Sequence, residues 1–145
     1  MNFFNPFPKL DHARIVAAIA DAERLTSGEI RVVVIRRKVA DPVAEARRQF
    51  ERLGMTRTAA RNGVLLLVAP RSRAFAIIGD IGIHRHCGDE FWREVAAELT
   101  EHFKRSEFTA GIEHAIARAG ALLAVHFPRQ PDDRNELPDS VVESG

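Results

Sequence analysis

The chain has 145 residues, of which 46% are apolar, and this length and composition favour one domain with a single hydrophobic core. Its 21 basic and 20 acidic residues leave a net charge of +1, which excludes a protein that binds nucleic acid by neutralising phosphates over its whole surface. The only cysteine, Cys87, excludes an internal disulfide, so the composition carries no sign of adaptation to an oxidising compartment.

Residues 1–9 contain three phenylalanines and two prolines, and we interpret them as an N-terminal arm that packs on the domain. They lack a basic stretch followed by an unbroken apolar run, so they do not predict a secretion signal. The first helix is expected to begin at about Asp11, a favourable N-cap residue. Apolar residues then recur at helical spacing and predict a buried face. They are Ile15, Ala18, Ile19, Ala22 and Leu25.

Two buried strands are predicted on either side of a second helix. Residues 29–35, EIRVVVI, and residues 63–69, GVLLLVA, are almost continuously apolar, which is typical of strands that are covered on both faces. Asp41 and Pro42 predict the start of the helix between them, and Gly54 predicts its end. Because a helix crosses from one strand to the next, the strands should be parallel with a right-handed connection. The apolar stripe of this helix is Val43, Ala46, Phe50 and Leu53.

A third strand and two more helices complete the predicted elements. The link at residues 70–73 is so short that residues 74–78 should return as the antiparallel strand of a hairpin. The next helix carries Phe91, Trp92, Val95, Leu99 and Phe103, and the last carries Phe108, Ile112, Ile116, Ala119 and Leu123. The apolar run AGALLAVHF in the last helix is far shorter than the roughly 20 residues that span a bilayer. We therefore expect a cytoplasmic protein with no membrane span.

The predicted fold class is α/β, a three-layer α/β/α sandwich. Its mixed sheet has two parallel strands and an antiparallel hairpin strand, and about four helices flank it. The predicted organisation is an N-terminal arm over residues 1–9, a folded domain over residues 10–127 and a polar C-terminal tail over residues 128–145. The tail contains prolines and many polar residues, so we expect it to be extended or mobile.

Strand directions predict which polar residues meet at each end of the sheet. The first two strands run the same way and the third runs back, so the starts of the first two lie beside the end of the third. We call this end the mixed rim and the opposite end the basic rim. The mixed rim holds Glu29, Asn62 and Asp80, adjoined by Thr26, Ser27, Arg57, Arg61, His84, His86, Asp89 and Glu90. The basic rim holds Arg36, Arg37, Lys38, Arg71 and Arg73.

The carboxylates of the mixed rim predict a divalent metal site. Asp80 and Asp89, with Glu90 or Glu29, offer the oxygen ligands that Mg²⁺ and Ca²⁺ prefer. The same residues also have a structural interpretation, because Asp89 and Glu90 can stabilise the N-terminal end of the next helix and Asp80 can form a turn. Both interpretations remain open from the sequence alone.

The segment GDIGIHRHCGDEF at residues 79–91 is predicted as a polar connection into the next helix. Zinc binding at His84, His86 and Cys87 is disfavoured, since the sequence lacks a second pair of ligands at zinc spacing. Cys87 as a nucleophile also lacks a recognisable set of partners.

The cations of the basic rim could bind an anion, RNA or an acidic partner. Nucleic acid is disfavoured there because aromatic residues for base stacking are not interleaved with them.

Three stretches of the sequence resemble a known family. They are TSGEIRVVVI, FERLGMTRTAARNGVLLLVAPRSRAFAIIGDIGI and FTAGIEHAIARAGALL, and together they are similar to the TPM domain, which is shared by a thylakoid lumen acid phosphatase, a photosystem II repair protein and a receptor-modulating membrane protein. The similarity spans about residues 10–127. Its most specific element is residues 62–67 followed by Arg73, and it is strongest toward short bacterial members without a signal or membrane anchor.

The resemblance implies an α/β/α sandwich of Rossmann-like appearance, divalent-cation binding and, in some members, phosphatase activity. The family's Gly-Tyr-Gly-Leu-Glu-Gly turn is replaced here by residues 79–84, GDIGIH. Asp89 falls where a carboxylate commonly opens the next helix. The resemblance therefore carries Asp89 and Asp80 over as metal candidates.

Together these inferences predict a soluble TPM domain with a weak Ca²⁺ or Mg²⁺ site at Asp80 and Asp89. If the protein is an enzyme, we expect metal-dependent hydrolysis of phosphomonoesters, with Asp80 and Arg61 as candidate catalytic residues and Arg61 or Arg57 neutralising charge. The partner would then be a small phosphoester. The alternative is a non-enzymatic module that binds an unknown protein partner, used in assembly or stress repair.

Overall fold

The computed structural model describes residues 9–130 and 141–144, and these contain four α-helices and four strands. Residues 1–8 of the predicted N-terminal arm lie outside the described residues. In chain order the elements are α1 (His12–Glu23), β1 (Glu29–Ile35), α2 (Pro42–Arg52), β2 (Gly63–Ala69), β3 (Ala74–Gly79), α3 (Ile81–Lys104), α4 (Phe108–His126) and β4 (Val141–Ser144). Short 3₁₀ turns cover Met55–Arg57 and Pro70–Ser72.

The sheet has the strand order β3-β2-β1-β4. Strand β1 is parallel to β2, with Glu29 opposite Gly63, and β3 is antiparallel to β2, with Val64 opposite Gly79. The predicted α/β fold class and the mixed sheet are therefore confirmed. The starts of β1 and β2 meet the end of β3, so the mixed rim is one end of the sheet.

Strand β4 is not predicted by the sequence. It pairs in parallel with β1, with Val32 opposite Val141, inside the stretch that the sequence indicates only as a polar tail. Two adjacent valines are too short an apolar run to predict a strand. The partner strand β1 supplies the pairing that the local sequence does not indicate, because β1 offers a free edge on that side.

Two apolar cores lie on opposite faces of the sheet, as alternating side chains of a strand require. On one face, Ile30 and Val64 belong to the larger core, which α1, α3 and α4 cover. On the other face, Val33 and Leu65 pack with Phe50 of α2. Every residue of β1 and β2 is buried, which confirms that both strands are covered on both faces.

Two predicted core residues are exposed. Leu25 is 66% exposed and Val43 is 42% exposed. Helix α1 ends at Glu23, so helical spacing no longer applies at Leu25. Glu23 itself is buried, and its Oε2 accepts a hydrogen bond of 2.7 Å from the backbone N–H of Ile30.

The segment predicted as a polar connection is helical from Ile81 onward, so that prediction is wrong. Asp80 is the N-cap of α3, and its carboxylate accepts a hydrogen bond from the N–H of Ile81. The helix kinks at Gly88, whose φ of 66° and ψ of −171° suit glycine and strain other residues. Only Ile83 is buried between Ile81 and Gly88, and this short stretch therefore lacks the apolar periodicity that predicts a helix.

Helix α4 is, among the described residues, the one helix long and apolar enough to cross a bilayer by those two measures alone. Its buried face packs against α1 and α3, as expected for the central helix of a globular core. At Gly120 a side chain would approach the Cβ of Ala22 to 2.7 Å, so the glycine permits close packing of α1 on α4.

A buried carboxylate, Glu45, joins α2 to the loop after β1. Its Oε2 lies 3.0 Å from Arg37 Nη2 and accepts a hydrogen bond of 2.9 Å from Gln49 Nε2. The hydrogen bond from Arg48, helped by those from Gln49 and Arg37, lowers the pKa of Glu45 to about 2 despite its burial. The ordinary pKa of 4.5 applies in the unfolded chain.

The stability that Glu45 provides should therefore be lost in acid. A lowered pKa in the folded state gives a contribution that is complete above the unfolded-state pKa and disappears as pH falls toward the folded-state pKa. Between pH 6 and pH 3 we expect the free energy of unfolding to fall about 1–3 kcal/mol further in the natural protein than in Glu45→Gln. Urea unfolding followed by circular dichroism measures this. The exposed Glu51→Gln on the same helix is the control, and equal pH slopes in all three proteins would contradict the prediction.

Candidate functional site

A cleft of about 600 Å³ lies at the mixed rim, between α2 and the N-terminal half of α3. We call it the rim cleft, and its volume is typical of small-molecule sites. Its apolar walls include Phe50, Ile77, Ile78 and Trp92, and its charged or ionisable residues are Arg47, Glu51, Arg61, Asp80, His84 and Asp89. The predicted convergence of Arg61, Asp80 and Asp89 at one end of the sheet thus forms a concave surface.

Arg61 and Asp80, the two candidate catalytic residues, bind each other. Arg61 donates from Nε to Asp80 Oδ2 at 2.6 Å and from Nη2 to Oδ1 at 2.9 Å. The Asp80 side chain is 6% exposed and that of Arg61 is 46% exposed. The hydrogen bond to Asp80 raises the pKa of Arg61. With the further bond from the N–H of Ile81, the Asp80 carboxylate accepts three hydrogen bonds, whereas the half-exposed side chain of Arg61 lines the cleft.

His84 is held between an indole and a carboxylate. The Nε1–H of Trp92 donates to His84 Nδ1 at 3.2 Å. An indole nitrogen only donates, so this contact fixes Nδ1 as the acceptor and leaves the ring proton on Nε2. His84 Nε2 lies 3.5 Å from Asp89 Oδ1. The three residues form a chain from the apolar wall to the exposed Asp89.

Two glycines of the GDIG segment allow the backbone packing that shapes the cleft. A Cβ at Gly79 would lie 2.5 Å from Trp92 Cζ2, and one at Gly82 would lie 2.5 Å from the carbonyl oxygen of Arg61. The N–H of Gly82 donates to that same oxygen at 2.8 Å, and the N–H of Asp80 donates to Gly63 O at 2.8 Å. The start of α3 is therefore fixed to the loop before β2 by main-chain hydrogen bonds.

The four predicted metal ligands do not come together. Only Asp80 and Asp89 line the rim cleft. Glu29 is buried within β1, and Glu90 is exposed next to Asp89 but does not line the cleft. Residues 9–130 and 141–144 contain no group of three or more His, Cys, Asp or Glu side chains arranged to hold a metal ion.

His86 points away from His84. Successive helical residues rotate by about 100°, so residues two apart face nearly opposite directions. His86 stacks on His126 of α4, with ring centroids 4.1 Å apart, whereas Cys87 packs against the larger core. Burial raises the pKa of the Cys87 thiol, which disfavours the reactive thiolate. The helix thus separates His84 from His86, two of the three residues considered for zinc.

Sequence reasoning missed the contribution of α2 to the rim cleft. Val43, Arg47 and Glu51 line it and follow each other at intervals of four residues, which places them along one side of a helix. Their spacing was visible in the sequence. The spacing does not reveal how α2 packs on the sheet, and this packing is what places the same side of the helix next to β3.

Comparisons with known proteins give one consistent result. A family model described as the TPM domain matches residues 4–122. The NMR structure of the BA42 protein from the psychrophilic bacterium Bizionia argentinensis is 37% identical, with a TM-score of 0.86 over 94% of this chain and 97% of that chain. The N-terminal domain of a protein from P. gingivalis shares the fold at 17% identity, with a TM-score of 0.66 over 83% of this chain and 82% of that chain. No curated protein matches the sequence significantly.

Proposed function

This chain belongs to the TPM domain family, and from that premise we propose that it binds a phosphomonoester together with a divalent cation in the rim cleft. One observation carries the proposal: the exposed carboxylate of Asp89 lines the same cleft as the half-exposed side chain of Arg61 and the side chain of Arg47. A carboxylate for the cation and guanidinium groups for the phosphate are the parts that such a ligand needs.

Asp89 is the residue best suited to hold the cation. Its side chain is 74% exposed, whereas the Asp80 carboxylate already accepts hydrogen bonds from Arg61 and Ile81. Mg²⁺ commonly keeps several waters and takes one or two carboxylates plus the phosphate of its substrate. A weak site of this kind needs no preformed cluster of three side-chain ligands. The bound cation would supply charge neutralisation to the phosphate.

The two arginines of the rim cleft would bind the phosphate oxygens. Asp80 orients Arg61 through two parallel hydrogen bonds, which limits the side-chain freedom lost on ligand binding. Arg47 is exposed on α2 and brings a second positive charge to the other side of the cleft. In this proposal Asp80 acts as a positioning residue for Arg61.

Binding of a phosphomonoester is the primary proposal, and hydrolysis of the bound phosphomonoester is a further proposal that depends on it. For hydrolysis we propose a water molecule as the nucleophile, with the bound cation and the arginines stabilising the charge that develops on the phosphate. A second candidate function is a module that binds a protein partner at this cleft. Exposed apolar side chains at its edge, Val43 at 42% and Ile81 at 55%, favour that alternative.

A titration with phenyl phosphate, with and without Mg²⁺, tests the binding proposal. We expect Mg²⁺ to tighten phenyl phosphate binding by roughly tenfold or more, with amide NMR shifts in α2 and in residues 79–92. Asp89→Asn should abolish the effect of Mg²⁺, whereas Glu90→Gln, a carboxylate next door and outside the cleft, should retain it. Shifts confined to the basic rim, or equal behaviour of both variants, would reject the rim cleft.

Turnover of p-nitrophenyl phosphate separates the enzyme from the binding module. Release of nitrophenol that requires Mg²⁺ and is lost in Asp89→Asn would establish hydrolysis. Binding without release would establish a phosphomonoester-binding module without hydrolysis. If phenyl phosphate does not bind, a protein partner would be sought instead, and Val43→Ser and Ile81→Ser should weaken its binding.

A further inference from the structure

A second cleft, of about 540 Å³, opens at the opposite end of the sheet. We call it the distal cleft, and it lies between the turn that joins β2 to β3 and the turn that joins α3 to α4. Three aromatic rings line it: Phe75 meets Phe103 edge to face at 5.6 Å, and Phe103 lies 5.1 Å from Phe108. The distal cleft therefore offers an apolar surface of three neighbouring aromatic rings to a ligand.

The charges of the distal cleft are all positive. Among the described residues that line it, Arg73 and Lys104 are charged and no carboxylate is present. Lys104 lies 3.8 Å from Glu101 in an exposed pair, so one net positive charge, that of Arg73, remains. Arg73 makes no ion pair with any residue in the described ranges, whereas Arg36 and Arg37 of the same basic rim pair with Glu143 and Glu45.

Backbone conformation also sets the two clefts apart from the rest of the molecule. Three non-glycine residues in the described part of the chain have positive φ: Arg61, Arg73 and Ser106. Arg61 lines the rim cleft, and the other two line the distal cleft. Left-handed conformations of such residues are uncommon and concentrate at functional sites.

We propose that the distal cleft binds a free medium-chain carboxylate, independently of the function proposed for the rim cleft. The planar guanidinium of Arg73 matches the two oxygens of a carboxylate, and its single unpaired charge matches a monoanion. The hydrocarbon chain would lie on Phe75, Phe103 and Phe108. A cleft of this volume with mostly apolar walls and a few polar groups is typical of sites for small organic ligands.

Octanoate is the probe, and amide NMR shifts of the full chain are the readout. We expect shifts in residues 68–75 and 100–108, with decanoate binding roughly a hundredfold more tightly than hexanoate, because each of the four added methylene groups is buried. Arg73→Gln should weaken octanoate binding about fivefold or more. Arg71→Gln removes a neighbouring charge that does not line the cleft, and it should leave the affinity unchanged.

Four outcomes would overturn the proposal. The first is that octanoate shifts no residue of the distal cleft, and the second is that octan-1-ol or octylammonium binds there as tightly as octanoate. The third is equal loss of affinity in Arg73→Gln and Arg71→Gln. The fourth is binding to phosphatidylglycerol vesicles without binding of free octanoate, which would assign the cleft to a membrane surface. Circular dichroism of each variant verifies that the fold is retained.

Discussion

Replacing Gly82 by alanine should lower the free energy of unfolding by at least about 3 kcal/mol, or prevent folding altogether. The added Cβ would overlap the carbonyl oxygen of Ala60 and lie 2.5 Å from that of Arg61. Both contacts are with main chain, which cannot rotate aside as a flexible side chain can. The loop cannot retreat without breaking the hydrogen bond from the N–H of Gly82 to Arg61 O.

Gly63→Ala is the matched control for Gly82→Ala. Gly63 also lies where the start of α3 contacts the start of β2. Its added Cβ, however, would meet side-chain atoms of Phe50 and Met55 at 3.3 and 3.4 Å, and the flexible Met55 side chain can move. We expect Gly63→Ala to change stability by about 1 kcal/mol or less. Urea unfolding followed by circular dichroism compares the two variants. If Gly82→Ala lowers the free energy of unfolding no more than Gly63→Ala does, the loop before β2 can move to accommodate the added Cβ, and the prediction is wrong.

Replacing Asp80 by asparagine should lower the free energy of unfolding by about 2–4 kcal/mol. The substitution keeps the size of the side chain but removes the charge that accepts both hydrogen bonds from Arg61. The side chain of Asp80 is 6% exposed, so water cannot replace the lost partner easily. Arg61 is half exposed and can turn toward solvent, which keeps the expected cost below that of a fully buried pair.

A double-mutant cycle with Arg61→Gln isolates the pair. We expect a coupling free energy of about 1–2 kcal/mol between positions 61 and 80, measured by urea unfolding at pH 7. Asp89→Asn is the control, and we expect it to stay within about 0.5 kcal/mol of the natural protein because Asp89 is exposed. A coupling near zero would mean that Asp80 stabilises the fold only through the start of α3.

Local sequence patterns predict most of the helices and strands and the relative direction of the first three strands. The apolar runs of β1 and β2 fixed two buried strands, and the length of each connection distinguished the parallel pair from the hairpin. Strand direction alone thus predicts that Asp80 lies beside the start of β2, as the pairing of Val64 with Gly79 confirms. These inferences were reliable because connection length and strand direction are linked by chain geometry.

The sequence does not reveal the direction of the side chains, and it is this direction that keeps the predicted metal ligands apart. Glu29 shares the mixed rim with Asp80, yet it is buried on a central strand. His84 and His86 diverge because the segment is a helix and not an extended connection. Arg61, the partner of Asp80, has a left-handed backbone with φ of 53°, and no local sequence motif predicts this conformation.

The position of β4 has a consequence for biosynthesis. The inner strand β1 gains its second neighbour from residues that follow it by about a hundred positions, as the pairing of Val32 with Val141 shows. A nascent polypeptide that has emerged from the ribosome only through α4 therefore leaves one edge of the buried strand β1 without a partner. Such an edge is a template for unwanted intermolecular pairing, so we expect the newly made protein to self-associate less readily once β4 has been synthesised and has paired with β1.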